Sequence, residues 1–319
     1  MRRVWERRSE AGVDTSTRIG GVVLPNPIMT ASGTAGHGAE LSGYVDLGGL
    51  CAVVVKSLSA EPWPGNPPPR IGETPAGMIN SVGLQGPGIE AWAEAELPEL
   101  AKLGARVVVS IWGHSVEDYA RAAAMCAFLP PEVVAVEVNV SCPNLEDGHR
   151  MFAHSVSATR EVMDATSAAG RPRWAKLSPN VADIVSIAAA AREGGAGAVT
   201  LTNTLRGIVI DVERRRPLLG GGGGGVSGPA MHPVAVRAVY DVHAALEGLP
   251  IIGVGGVTSA HEAIEFLLAG ATAVQVGTAN FADPRSTEKV LRGLVTWCAS
   301  QRVGRISDLV GAAHQRRQT

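Results

Sequence analysis

The chain has 319 residues, 45% hydrophobic and 18% charged, with a formal net charge of −2. That composition belongs to a folded globular protein and lacks the basic excess that binding a phosphate backbone requires. It contains no apolar run of about 18 residues that could span a membrane, and the basic start MRRVWERRSE leads into no secretory h-region.

Four scattered cysteines (Cys51, Cys126, Cys142, Cys298) form no C-x-x-C pair. Neither a disulfide framework nor a self-contained zinc or iron–sulfur site is expected, and the chain reads as cytoplasmic and metal-free. Only four of the 28 basic residues are lysines. Lys102 and Lys289 lie in polar helical stretches. Lys56 and Lys176 end apolar strand-like runs, where a charge is costly unless paired.

Residues 1–18 read as an N-terminal extension and 19–319 as one domain. Strands are predicted at 27–31, 52–56, 106–110, 133–140, 174–177, 198–202, 251–254 and 273–277. Helical stretches separate them, and Gly104-Ala105, Gly197-Ala198 and Gly270-Ala271 supply a helix stop before a strand. The last unit is the clearest: Ser259 to Glu262 forms a capping box, and the helix runs to Ala269. Repeated strand–helix units imply parallel strands with right-handed crossovers. Eight such strands favour an α/β fold closed as a (β/α)8 TIM barrel, for which about 250 residues suffice. A dinucleotide-binding open sheet is disfavoured, because Gly33-Thr34-Ala35-Gly36 misses the G-x-G-x-x-G spacing.

The fourth strand alternates. Val134, Val136, Val138 and Val140 are expected to face the helix layer, and Ala135, Glu137 and Asn139 to point into the barrel, where a carboxylate and an amide need partners. Two stretches look like insertions after strands two and six: 61–88, rich in Pro and Gly, and 206–229, whose six glycines Gly220 to Gly225 suggest a mobile run. Both follow the strand ends where barrel enzymes carry their chemistry.

The strand ends carry a consistent set of small, amide or amine groups: Ser32, Lys56, Ser110, Asn139 with Cys142, Lys176, Asn203 with Thr204, Gly255-Gly256 and Gly277-Thr278. The glycine pairs suit a phosphate, because bare N–H groups approach its oxygens with no Cβ in the way, and Gly228 can add another; simple turn chemistry is the plainer reading of each. A phosphate on a barrel does not by itself choose a reaction. Cys142 follows strand four in a polar stretch, where a thiol can act as nucleophile or as base; the other three cysteines sit among apolar neighbours. Of eight asparagines, Asn80, Asn139, Asn144 and Asn203 fall in these segments, suited to reading a ring with alternating C=O and N–H groups. The histidines show no metal-ligand spacing.

The motifs NPIMTASG, GNPPPRIGETPAGMINSVGLQ, VNVSCPN, KLSPNV, TNT, GGVSGP, IIGVGGV and GATAVQVGTANFADP, spread from about Leu24 to Phe281, closely resemble those of class 1 dihydroorotate dehydrogenases. GNPPPR with ETPAGM, and GTANFADP, look most like the 1B subclass, whose flavin passes electrons to NAD through a separate subunit. The resemblance implies oxidation of (S)-dihydroorotate to orotate on one FMN per chain, in de novo pyrimidine biosynthesis. Carried over by position, it places FMN contacts on Ser32, Lys56, Ser57, Asn139, Lys176, Thr202, Gly228, Gly255, Gly256, Gly277 and Thr278. Orotate contacts fall on Lys56, Asn80, Ser81, Val82, Gly83, Leu84, Asn139, Asn144, Asn203 and Thr204. Cys142 becomes the base that takes a proton from C5 while a hydride passes from C6 to flavin N5, and Lys56 pairs with substrate or flavin carbonyls. Lys176 is expected beside flavin N1–C2=O, stabilising the reduced anion.

Three departures stand out. Ser110-Ile111-Trp112-Gly113 replaces an N-V-A-G-like stretch, Gly86 stands where Asn is usual, and the glycine run is long. Ser110 keeps one donor toward the flavin, whereas the bulk of Trp112 is expected to reshape the flavin or partner surface. The resemblance also implies a homodimer, or a heterotetramer with a subunit bearing FAD and a 2Fe–2S cluster, since this chain lacks grouped cysteines. The nearest rival is a dihydropyrimidine dehydrogenase-type reductase acting on dihydrouracil or dihydrothymine, which favours His where this chain has Asn144. A cysteine-nucleophile barrel similar to IMP dehydrogenase, needing no flavin, and a non-catalytic flavin-binding scaffold are the other readings.

Overall fold

The computed structural model describes residues 12–141 and 152–315. Short β-branched runs, buried on both faces, build a parallel sheet of eight strands: β1 (Ile28–Thr30), β2 (Val53–Val54), β3 (Val107–Ile111), β4 (Val133–Asn139), β5 (Arg173–Leu177), β6 (Ala198–Leu201), β7 (Ile251–Val254) and β8 (Ala273–Val276). Each strand pairs with its neighbour in the chain, and β8 returns to β1. The ring closes between β1 and β2 through Cys51 N–H to Ile28 O (2.9 Å) and Val54 N–H to Thr30 Oγ1 (2.9 Å). The fold is a (β/α)8 barrel.

Helices such as Val116–Cys126, Ile184–Glu193 and Ser286–Ser300 cover the outside with their apolar faces. The Ser259–Glu262 capping box forms, and the helix Ala260–Ala269 stops at Gly270 in a left-handed conformation (φ 117°). Gly197 plays a different part from the one expected. The preceding helix ends at Gly194, Gly195 takes the positive φ of 87°, and Gly197 packs on the turn at Gly20, where a Cβ would come within 3.2 Å of Gly20 Cα. No helix among the described residues is long and apolar enough to cross a membrane.

Inside the barrel, Met29, Val54, Val108, Ala135, Trp174, Ala198, Ile252 and Ala273 form an apolar layer, one from each strand. The hairpin Thr17–Ile19/Val22–Leu24 presses Ile19 and Leu24 into it and stoppers that end. Above this layer the interior turns polar at Glu137, Thr200 and Gln275, all fully buried. Val136, Val138 and Val140 pack with the helix layer as expected, but Val134 does not: the β3–β4 register slips between Val107 and Val108, and Val134 packs against the interior layer. One residue of bulge is enough to turn a side chain to the other face.

The segments after β2 and β6 pair with each other. Leu205–Gly207, Gly224–Ser227, Gly77–Asn80 and Ile71–Thr74 make a four-stranded antiparallel sheet over the C-terminal end of the barrel. Only the end of the glycine run, Gly224 and Gly225, is built into this sheet, which corrects the expectation of mobility for those two positions. A Cβ at Gly224 would lie 2.4 Å from Asn80 O, and one at Gly225 2.1 Å from Thr204 Oγ1. The Asn80 backbone at Gly224 and the Thr204 side chain at Gly225 come so close that neither position has room for a Cβ.

Candidate active site

A cavity of about 620 Å³ opens between the C-terminal ends of the strands and the covering sheet. Strand ends supply its floor and walls: Ser32 after β1, Lys56 and Ser57 after β2, Asn139 on β4, Lys176 on β5, Thr202, Asn203 and Thr204 after β6, Gly255 and Gly256 after β7, and Gly277 and Thr278 after β8. The covering sheet and its connections supply Asn80, Ser81, Val82, Gly83 and Leu84 from one segment and Gly228 from the other. A second space of about 440 Å³ adjoins the first, sharing Met78, Gly228, Gly256, Thr278 and Phe281 with it.

The floor is an ordered set of polar groups. Asn203 Nδ2 donates to Asn139 Oδ1 (3.2 Å), and Asn139 Nδ2 to Ser57 Oγ (3.3 Å). Ser57 Oγ is within 3.2 Å of Ser32 Oγ and 2.9 Å of Ser110 Oγ. Below them, Lys176 Nζ lies 3.5 Å from Glu137 Oε1, with both side chains buried. Lys56 lies along Gly33, where a Cβ would sit 3.5 Å from Lys56 Cδ and 3.9 Å from Nζ. Burial, helped by the Lys56 charge, lowers the His37 pKa, so this neighbouring ring stays neutral more readily than a free histidine. Two hydroxyls in the cavity wall, Thr202 Oγ1 and Ser81 Oγ, are buried with no hydrogen-bond partner among the described residues.

At the other end the glycines turn the backbone. Gly228, Gly255 and Gly256 take φ of 106°, 142° and 69°. His232 braces this turn, with Nδ1 2.8 Å from Gly255 O and Nε2 3.0 Å from Glu265 Oε2. Thr278 Oγ1 donates to Ser227 Oγ (2.8 Å), tying β8 to the covering sheet.

Ser110 is not in the cavity wall. It is fully buried and reaches the site only through Ser57, whose Oγ lies 2.9 Å from its own. Trp112 is likewise turned away: it packs among the helix-side residues, edge-on to Trp63 and His114 (ring centroids 5.9 and 4.7 Å). Its bulk lies outside the cavity wall, so the expectation that it reshapes the flavin surface is corrected. Cys142 and Asn144 lie outside the described residues. The chain leaves at Ser141 and returns at Phe152, and Ala153 N–H donates to Val140 O (2.9 Å), so both flanks stand at the end of β4 beside Asn139. Sequence reasoning passed over Asn180, whose Nδ2 donates to Thr204 O (3.0 Å) and whose Oδ1 accepts from Arg206 N–H (2.9 Å). It bridges the β5 end to the segment after β6. Its place in KLSPNV, on a strand end, was the available signal.

Comparison with known proteins now decides the family. The family model described as dihydroorotate dehydrogenase matches residues 15–297. The chain belongs to the dihydroorotate dehydrogenase family. This is a family of oxidoreductases, and the matched stretch takes in all eight barrel strands and both segments of the covering sheet. Similar proteins include a dihydroorotate dehydrogenase B (NAD(+)) catalytic subunit from Desulforudis audaxviator, 51% identical over 307 residues (95% of this chain, 98% of the relative). Proteins of the same name from Pelobacter propionicus and Geobacter sulfurreducens are 46% and 44% identical over 300 residues, each covering 94% of this chain and 98% of the relative.

Proposed function

We propose that this chain is the catalytic subunit of an NAD-linked dihydroorotate dehydrogenase, oxidising (S)-dihydroorotate to orotate on FMN. What carries the reading is the cavity at the strand ends, lined by amides and amines on one part and glycine turns on another, in a dihydroorotate dehydrogenase family member. Its residues fit FMN: the orphaned Thr202 and Ser81 hydroxyls need polar partners, and the glycine turns leave backbone N–H groups unscreened by side chains. When bound, FMN supplies a hydride acceptor at its N5. Gly228, Gly255, Gly256, Gly277 and Thr278 would hold its phosphate, and Ser32, Ser57, Asn139, Lys176 and Thr202 its ring system.

Asn80, Asn139, Asn203 and Thr204 orient the dihydropyrimidine by its alternating donors and acceptors, with the 81–84 backbone and Asn144 beside them. Lys56 pairs with the substrate's carbonyl or carboxylate oxygens, and Cys142 takes the C5 proton. Lys176 supplies a cation next to the charge that accumulates on reduction. Electrons leave for NAD by way of a second polypeptide bearing FAD and a 2Fe–2S cluster, in a heterotetramer built on a homodimer of this chain, in the cytoplasm.

Anaerobic mixing of the FMN-loaded chain with dihydroorotate, dihydrouracil and dihydrothymine separately tests the reading. Bleaching of the visible flavin band by dihydroorotate alone is the expected result. Bleaching by dihydrouracil or dihydrothymine alone would overturn the substrate, and failure to take up FMN would overturn the flavin.

A further inference from the structure

The proposed reaction leaves one buried charge without a role. Glu137 and Lys176 are the only buried carboxylate and the only buried amine among the described residues. Glu137 sits at the centre of the barrel, directly above the apolar layer and below the cavity floor. Its Oε2 is well held: Gln275 Nε2 donates at 2.7 Å and Thr200 Oγ1 at 3.1 Å. Its Oε1 accepts no hydrogen bond and faces Lys176 Nζ across 3.5 Å.

Folding alone gives a weak reason for such a pair. Apolar side chains of equal volume would serve the core as well, because desolvation of two charges offsets most of their attraction. The layer just beneath is built in that way, from Met29, Val108, Ile252 and their neighbours. The distance is also informative. At 3.5 Å the contact is coulombic and does not consume the amine's donors, so Nζ remains able to hydrogen-bond upward into the cavity while its charge is kept in place from below. Gln275 and Thr200, from β8 and β6, fix the carboxylate so that it cannot swing up to the cavity itself.

The geometry points to Glu137 as a positioning residue for the redox step: it anchors the Lys176 ammonium at the cavity floor and sets how much positive field that ammonium projects into the cavity. The inference rests on the flavin reading of the cavity. With the carboxylate present, a ring above Lys176 meets an ion pair; without it, a bare cation. A bare cation favours the electron-rich state of whatever lies above it.

Three variants test this, read by flavin midpoint potential and by thermal unfolding of the flavin-free chain. Glu137→Gln keeps the shape and removes the charge, and is expected to bind FMN and shift its midpoint potential positive. Lys176→Met is expected to shift the potential negative and to lower the unfolding temperature, because it strands a buried carboxylate. Adding Glu137→Gln to Lys176→Met should recover most of the lost unfolding temperature, the mark of direct coupling. Where Glu137→Gln alone does not fold, recovery of a folded chain in the double variant reads the same coupling. An unchanged potential in Glu137→Gln, or a double variant no more stable than Lys176→Met, would overturn the inference. The stability cycle needs no flavin, so a chain that folds but takes up no FMN fails the flavin reading and leaves the pair's coupling to be read on its own.

Discussion

Replacing Gly256 by alanine probes the phosphate end of the cavity with a magnitude that the geometry sets. Gly256 holds φ at 69°, and a Cβ there would lie 2.7 Å from His232 Cβ and 3.0 Å from Gly228 O. Left-handed backbone costs a residue with a Cβ about 1–2 kcal/mol, and relieving a contact this short in packed surroundings costs about 1–3 kcal/mol more. His232 is pinned at both ring nitrogens, so the turn rather than the histidine must give way. Moving the turn shifts the N–H groups assigned to the phosphate. If about 2–4 kcal/mol of that strain is withdrawn from binding, FMN affinity falls roughly 30- to 700-fold. Gly248 provides the control. It has nearly the same φ (75°) but nothing within 4 Å of its Cβ position, so Gly248→Ala carries the backbone cost without the collision or the cavity. Titration of each flavin-free chain with FMN, followed by fluorescence quenching, gives the comparison, alongside its thermal unfolding. A Gly256→Ala chain that binds FMN as tightly as the Gly248→Ala chain would refute the placement of the phosphate at this turn.

Cys142→Ala should lower turnover about 10²- to 10⁴-fold, the usual worth of a general base, with FMN retained; turnover within threefold of the parent (roughly, against that range) rejects the base. Cys142→Ser should leave slow turnover that climbs with pH, since a serine hydroxyl gives up its proton far less readily than a thiol. Ser57→Ala removes the hydroxyl shared by Ser32, Ser110 and Asn139. The loosened Asn139 amide should raise the dihydroorotate KM about fivefold, one hydrogen bond's worth, with little change in FMN content; an unchanged KM would remove Asn139 from the substrate contacts. His37, His154 and His243 all have pKa values lowered from 6.5, chiefly by burial, so below that pH the unfolded chain binds more protons than the folded one. Stability should therefore be fully present above pH 6.5 and fall as pH drops through it, and the triple His→Gln variant should flatten that slope in chemical denaturation between pH 7.5 and 5.5 (about one unit either side of the histidine range). An equal slope in both chains would show that other groups govern it.

The barrel was readable because each of its strands is a local object. Runs such as Val107–Ile111 and Ile251–Val254 announce themselves by β-branched residues between helix stops, and most of the polar or glycine positions at the run ends fall at the cavity by topology alone. What was not readable depended on contacts between distant residues. Nothing local in Gly77–Asn80 or Gly224–Ser227 says that they pair, so the glycine run suggested mobility, whereas at Gly224 and Gly225 close packing leaves no room for a side chain. The slip at Val107/Val108, which re-aims Val134, is a property of two strands and not of either one. Glu137 could be seen to point inward, but Gln275 and Thr200 lie 138 and 63 residues away from it. Ser110 shows the limit for the site: a position near a strand end puts a side chain close to the rim, yet here it is buried and meets the site only through a neighbour's hydroxyl.

The stopper formed by Ile19 and Leu24 has a kinetic meaning as well as a structural one. A barrel corked at its base offers no passage from below, so whatever enters or departs does so on the side of the covering sheet. Product must vacate before fresh substrate can arrive, and any reoxidant that needs touching distance must either take its turn on that side or draw its electrons through the protein wall.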